Sequence, residues 1–189
     1  MGDHRRIDDG GSGSHFPAKA SAVWRSALVV LAVLVGLGPA PDESAVKERL
    51  DRVREYHGAA GPWAVAGYRI GERALGDLGL PRRSFSLLVV HRCPAQVQYS
   101  CMADGLQAAT GASPGKLNLR VEEATAEGLR SVVEDRKSER RLTFTLRPKF
   151  VKSIRDLPPA RLEAEGERVA ALPDKDIFLV EESKVTPGR

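Results

Sequence analysis

The sequence predicts an α+β fold, a helix-strand-helix-three-strand mixed sheet with helices packed on one face, preceded by an N-terminal apolar segment. Val46, Leu50, Val53 and His57 recur at the spacing of one helix face. Further on, only one strand–helix–strand unit can be drawn, too few for a doubly wound sheet. Three short strands with polar links follow it.

Taken in order, the first helix follows the Pro-Asp-Glu-Ser break, with Ser44 as its N-cap and acidic residues close by. His57 ends its inward-facing stripe. Gly58 and Gly61-Pro62 interrupt it, and a second helix runs from Trp63 to Leu78, with Gly67, Gly71 and Ala74 on a face narrow enough for close packing. Gly79 stops it. Phe85–His91 is a continuous β-prone run, read as an interior strand buried on both faces. Ser100 then caps a short helix closed by Gly111, which puts Cys101 in the first turn. Leu117–Val121, Leu129–Glu134 and Leu142–Leu146 read as three strands. Pro158-Pro159 opens a last helix to about Leu172, and Ile177–Val180 suits a closing strand.

The chain holds 29 Lys and Arg against 25 Asp and Glu, and its arginines are scattered through acidic stretches, so neither a basic stripe nor a nucleic-acid motif emerges. Two cysteines, Cys93 and Cys101, are too few for a disulfide framework, although a single local bridge between them would compete with any role for a free thiol.

Residues 1–25 form a basic leader with almost no apolar pattern, expected to be disordered. Residues 26–41 are uncharged, with an apolar centre of roughly ten to twelve residues, the length of a signal h-region rather than of a full span. Pro39 and Pro41 fit cleavage poorly, so an uncleaved anchor stands beside a signal peptide as the reading. The chain is expected to be exported or anchored to the cytoplasmic membrane with its domain outside. Arg5-Arg6 lies too far from the apolar run for a twin-arginine signal.

The residues able to do chemistry gather in two segments, YHGAAGPW with His57 and HRCPAQVQYSCMADG with His91, Cys93, Cys101 and Asp104. A thiol in a first helical turn meets unpaired N–H groups and the positive end of the dipole, which favour the thiolate. A buried Cys is otherwise a small hydrophobe, and a His on an apolar face is commonly a core residue bonded to a carbonyl. His91 and Cys93 share one side of a strand end. Asp104 follows Cys101 by three residues, on the same helix side, and can orient a histidine, coordinate a metal or act as a capping carboxylate. The GASPGK segment lacks the glycine spacing and the Ser or Thr of a phosphate loop. Its Lys116 remains a candidate contact to an anionic ligand.

YHGAAGPWAVAGYRIGERAL and YSCMADGLQAATGASPGKLNL, with the strand LTFTL behind them, resemble the E-subunit family of formylmethanofuran dehydrogenase over about Ala45–Pro148. The first is similar to that family's opening motif, a His-Gly-His segment before a small-residue helix. The second is similar to its Cys-x-x-Asp-Gly-x-Gln helix followed by Thr-Gly-x-x-x-Gly-Lys-x-Asn-Leu. The resemblance implies a mixed α+β domain linked to one-carbon redox chemistry or to a metal-binding accessory role. It makes His57, Cys101 and Asp104 the site, as metal ligands with His91 and Cys93 in reserve, and places Gln107 and Lys116 around it as cofactor-binding positions. Ala59, Gly61 and Ala112 stand where the family often has further His or Cys, and the Cys-rich zinc module of some members is absent. Any divalent metal, such as zinc, would keep open positions. The redox cofactors of the dehydrogenase complex belong to its other polypeptides, so its activity is not implied.

The expected organisation is therefore a leader (1–25), a signal peptide or anchor (26–41), a family domain (44–148) and a C-terminal helix and strand (149–189). The expected function is binding of a metal ion or small molecule at a Cys/His site. The alternatives are a non-catalytic envelope interaction module and a thiol-dependent enzyme with Cys101 as nucleophile and His57 as base. Expected partners are that small ligand, the membrane through residues 26–41 if uncleaved, and a second copy of the chain; nucleic acid is not expected.

Overall fold

The structure, a computed structural model, describes residues 42–185; the leader and the apolar segment lie outside the described residues. The domain opens with α1 (Glu43–His57) and α2 (Pro62–Leu78), followed by β1 (Leu87–Cys93) and α3 (Val97–Thr110). Then come β2 (Leu119–Glu123), β3 (Arg130–Asp135) and β4 (Arg140–Leu146). It closes with α4 (Pro148–Ile154), α5 (Leu162–Ala171), α6 (Asp174–Ile177) and β5 (Phe178–Lys184).

The strands form one sheet in the order β2-β1-β3-β4-β5. β1 and β2 are parallel, joined through α3, and every other pair is antiparallel. The α+β class is thus as the single strand–helix–strand unit predicts. β5 adds to β4 from Leu146↔Phe178 to Arg140↔Lys184, so the C-terminal segment completes the same sheet as the motifs.

β1 is interior, yet its two faces differ. Leu87, Val89, His91 and Cys93 face α2 and α3 and are buried, whereas Leu88 and Arg92 on the other side are half-buried. Val90, between them on that side, is buried as well, so the expected burial on both faces holds at the middle of the strand and gives way toward its ends. That outer face is mixed, with Leu88, Val90 and Val132 beside cross-strand ion pairs at Arg92–Glu122 (2.8 Å) and Arg141–Glu134 (2.6 Å).

Helix ends follow their caps. α1 starts one residue before Ser44 because Asp42 is the N-cap, its carboxylate accepting from the Ser44 N–H at 2.9 Å. Gly79 and Gly111 end α2 and α3 in the left-handed conformation, φ 65° and 67°. α3 starts four residues before the expected first helical residue, with Gln96 as N-cap, so Ser100 lies inside the helix and donates its hydroxyl back to the Val97 carbonyl at 3.1 Å.

α2 and α3 meet backbone to backbone. A Cβ at Gly105 would run into the Ala64 carbonyl oxygen, and one at Gly67 into that of Met102. Gly71 meets Ala109 and Thr110 in the same seam. Leu50 and Val53 of α1, Ile70 of α2, Met102 and Leu106 of α3, and Phe144 of β4 build the core around it. Phe144 and Phe178 stack edge to face at 5.3 Å, tying β5 in.

Candidate functional site

His57 stands at the last position of α1, where Gly58 in a left-handed conformation turns the chain away (φ 86°). Across from it, Asp104 projects from α3, and the two meet with Nδ1 to Oδ2 at 2.8 Å. A carboxylate only accepts, so Nδ1 carries the proton directed at Asp104 and Nε2 is the ring nitrogen left for another partner. His57 is 24 % exposed and Asp104 51 %, so the pair is reachable from solvent.

Cys101, one turn before Asp104 on α3, is half-buried. It sits at the fifth helical position, past the first turn in which the capping argument put it. The expected push toward thiolate is corrected accordingly: burial, then the nearby Asp104 carboxylate, hold its pKa above the ordinary thiol value.

His57 and Cys101 line one cleft of about 330 Å³. Pro62, Trp63 and Ala64 of α2 form one side, with Val97 and Gln98 beside Cys101 on α3. Ile154, Arg155, Leu157 and Leu162 form the other. Trp63 is fixed there by an edge-to-face contact with Tyr99 at 4.9 Å. A concave apolar chamber with a few convergent polar groups is the form of a small-molecule site.

The remaining candidates lie elsewhere. His91 is fully buried: its Nε2 donates to the Tyr99 carbonyl at 3.0 Å, and its Nδ1 accepts from the Ser131 hydroxyl at 2.9 Å. With both nitrogens engaged it is a core histidine, and burial lowers its pKa to about 4. Cys93 is a buried free thiol whose pKa burial raises. Gln107 lies about 9 Å along α3 from Cys101, by the helical rise of six residues. Lys116 donates to the Gly111 carbonyl at the C-terminus of α3 and lies over the Phe85 ring, 5.6 Å from its centre.

Among the described residues no three His, Cys, Asp or Glu side chains converge as metal ligands. Asp104 is bonded to His57, which leaves two donors lining the cleft, a set that does not fit a four-ligand structural zinc. Trp63, Arg155, Leu157 and Leu162 are site residues that sequence reasoning missed. Trp63 had a signal, its place directly after the Gly-Pro break; Arg155 and Leu157 sit in a stretch without any periodicity.

Residues 56–179 match the family described as FmdE, molybdenum formylmethanofuran dehydrogenase operon. Among solved structures, an FmdE-like protein of the tungsten formylmethanofuran dehydrogenase type from Syntrophus aciditrophicus is similar at 19% identity. That similarity covers 79% of this chain and 79% of that one, with a TM-score of 0.49. No curated protein matches the chain.

Proposed function

The chain belongs to the FmdE family, and on that premise we propose that it is a binding domain for a small organic molecule received by the cleft beside His57 and Cys101. The observation that carries the reading is the Asp104–His57 pair at 2.8 Å on a cleft that Cys101 also lines. Asp104 fixes the ring and its tautomer, so the Nε2 lone pair can accept a proton from a ligand without a reorientation step. Cys101, kept protonated at neutral pH, serves as a soft donor of a weak hydrogen bond rather than as a ready nucleophile. The apolar walls contribute most of the buried surface. In the same reading the domain works outside the cytoplasm, exported or tethered through the uncharged run 26–41 behind Arg25.

A weakly held divalent ion is the second reading, favoured by the carboxylate–histidine pair that commonly supports a metal-bound imidazole. His57 and Cys101 would hold it, and it would supply Lewis-acid polarisation of a bound carbonyl.

Trp63 reports on the cleft once Trp24 is replaced by Phe. In that background the full chain is titrated with carboxylates and aldehydes of one to six carbons, and with zinc chloride. At least one organic probe is expected to change Trp63 emission saturably, with the response weakened about tenfold in His57→Ala, the loss of one good polar contact, and by less in Cys101→Ser, which keeps a donor. A response untouched by both substitutions would place binding elsewhere. Saturation by zinc alone would replace this reading with the metal site.

A further inference from the structure

Arginines over most of the domain are paired with carboxylates, Arg49 with Glu72, Arg54 with Glu163, Arg73 with Asp77 and Arg140 with Glu182 among them. Beside α4 the pattern changes. Arg147, Lys149 and Lys175 line a single open cleft of about 620 Å³ between α4, α5 and α6, and none of the three forms an ion pair with another described residue. Arg168 lies on the same wall but is held by Glu165 at 2.6 Å. The lining carboxylate is Asp176, so three unpaired cations face one acid.

Arg147 is the most telling of them. Its backbone N–H donates to the Ile177 carbonyl at 2.9 Å, fixing it at the end of β4. Its side-chain Nε is buried and has no hydrogen-bond partner among the described residues. That buried N–H is closed to the cleft, so the two terminal nitrogens of Arg147, which lines the cleft, are the donors it can offer a ligand there. Lys149 and Lys175, exposed on the same cleft, add attraction for the same kind of partner.

We infer that this cleft is a second binding site, for a small phosphorylated molecule whose oxyanion is held by Arg147, Lys149 and Lys175. An oxyanion supplies acceptors to the Arg147 fork and charge to the two lysines. The cations occupy one concavity of small-molecule size instead of tracking along a surface, which separates the site from a nucleic-acid or lipid-facing patch. It shares no lining residue with the His57 cleft, and so stands or falls independently of the function proposed for that one.

The test is calorimetric titration of the full chain with pyrophosphate at two ionic strengths. Lys149→Gln/Lys175→Gln is compared with Lys137→Gln/Lys184→Gln. The second pair makes the same charge change at the other end of β4, about 20 Å away by the strand rise. Saturable one-to-one binding is expected, weakened about tenfold or more in the first variant, with a shallower salt dependence, and unchanged in the second. Equal weakening in both variants would reduce the effect to overall surface charge and overturn the site. Absence of saturable binding in the wild type would overturn it as well.

Discussion

His91 is the residue whose chemistry most clearly belongs to stability. Its ring is neutral and fully buried, with both nitrogens bonded inside the protein. Because burial lowers its pKa from 6.5 to about 4, the unfolded chain takes up a proton in a range where the native chain does not. The contribution is complete above pH 6.5 and declines as pH falls toward about 4, on the order of 3 kcal/mol in all. Urea unfolding of wild type and His91→Gln across that range is expected to show a flatter acid limb in the variant; parallel limbs would refute the assignment. The same side chain shows how far a residue can be read alone. His57 and His91 both lie on apolar patterns, and only the facing elements decide that one meets Asp104 and the other Tyr99 and Ser131. Cys101 and Asp104 were legible as a unit because residues three apart on a helix share a side. Lys116 was not, since its partner is the carbonyl of Gly111, which no side-chain pattern marks.

At the scale of elements, the glycine seam between α2 and α3 sets the position of the site, because Gly105 immediately follows Asp104. Gly105→Ala is expected to destabilise by about 1–3 kcal/mol or more, since the added methyl meets backbone that cannot rotate away. Gly76, in the facing helix α2 but exposed and with open space around it, should respond oppositely: Gly76→Ala is expected to stabilise by about 0.5–1 kcal/mol. Urea midpoints measure both, and equal signs would remove the seam from the account. Helix ends marked by glycine were legible, as at Gly79 and Gly111, because a left-handed residue leaves a signature in sequence. Helix starts were less so: Asp42, not Ser44, caps α1, and Gln96 caps α3 without a side-chain bond. α4 went unread because Phe150, Val151 and Ile154 carry β-prone side chains, and only Pro148 at the first helical position hints at the helix they join.

For the whole molecule, the strand order β2-β1-β3-β4-β5 was only partly legible. The α+β class followed from one strand–helix–strand unit, while pairing of β5 with β4 depends on long-range contacts such as Phe144 with Phe178. No helix among the described residues is long and apolar enough to cross a membrane. The proposed export or tethering therefore rests on residues 1–41, and it can be checked apart from the domain. Fused to alkaline phosphatase, which is active only outside the bacterial cytoplasm, these residues are expected to give active enzyme, and replacing Leu31 and Leu34 by Arg to silence it. Activity surviving both replacements, or none to begin with, would end that proposal.

The seam also decides which parts of the cleft can give way. α2 and α3 cannot slide past each other by even one residue without driving a Cβ into a carbonyl, so Trp63 and Cys101 keep a constant separation. α5 is pinned in turn where Gly166 lies against the Ala60 carbonyl. Leu157, in the short connection between α4 and α5, is held by packing of its side chain against the core and not by a glycine contact. In the proposed site the wall that carries Trp63 and Cys101 is thus the glycine-locked one, while the facing wall at Leu157 is built from a connection between helices.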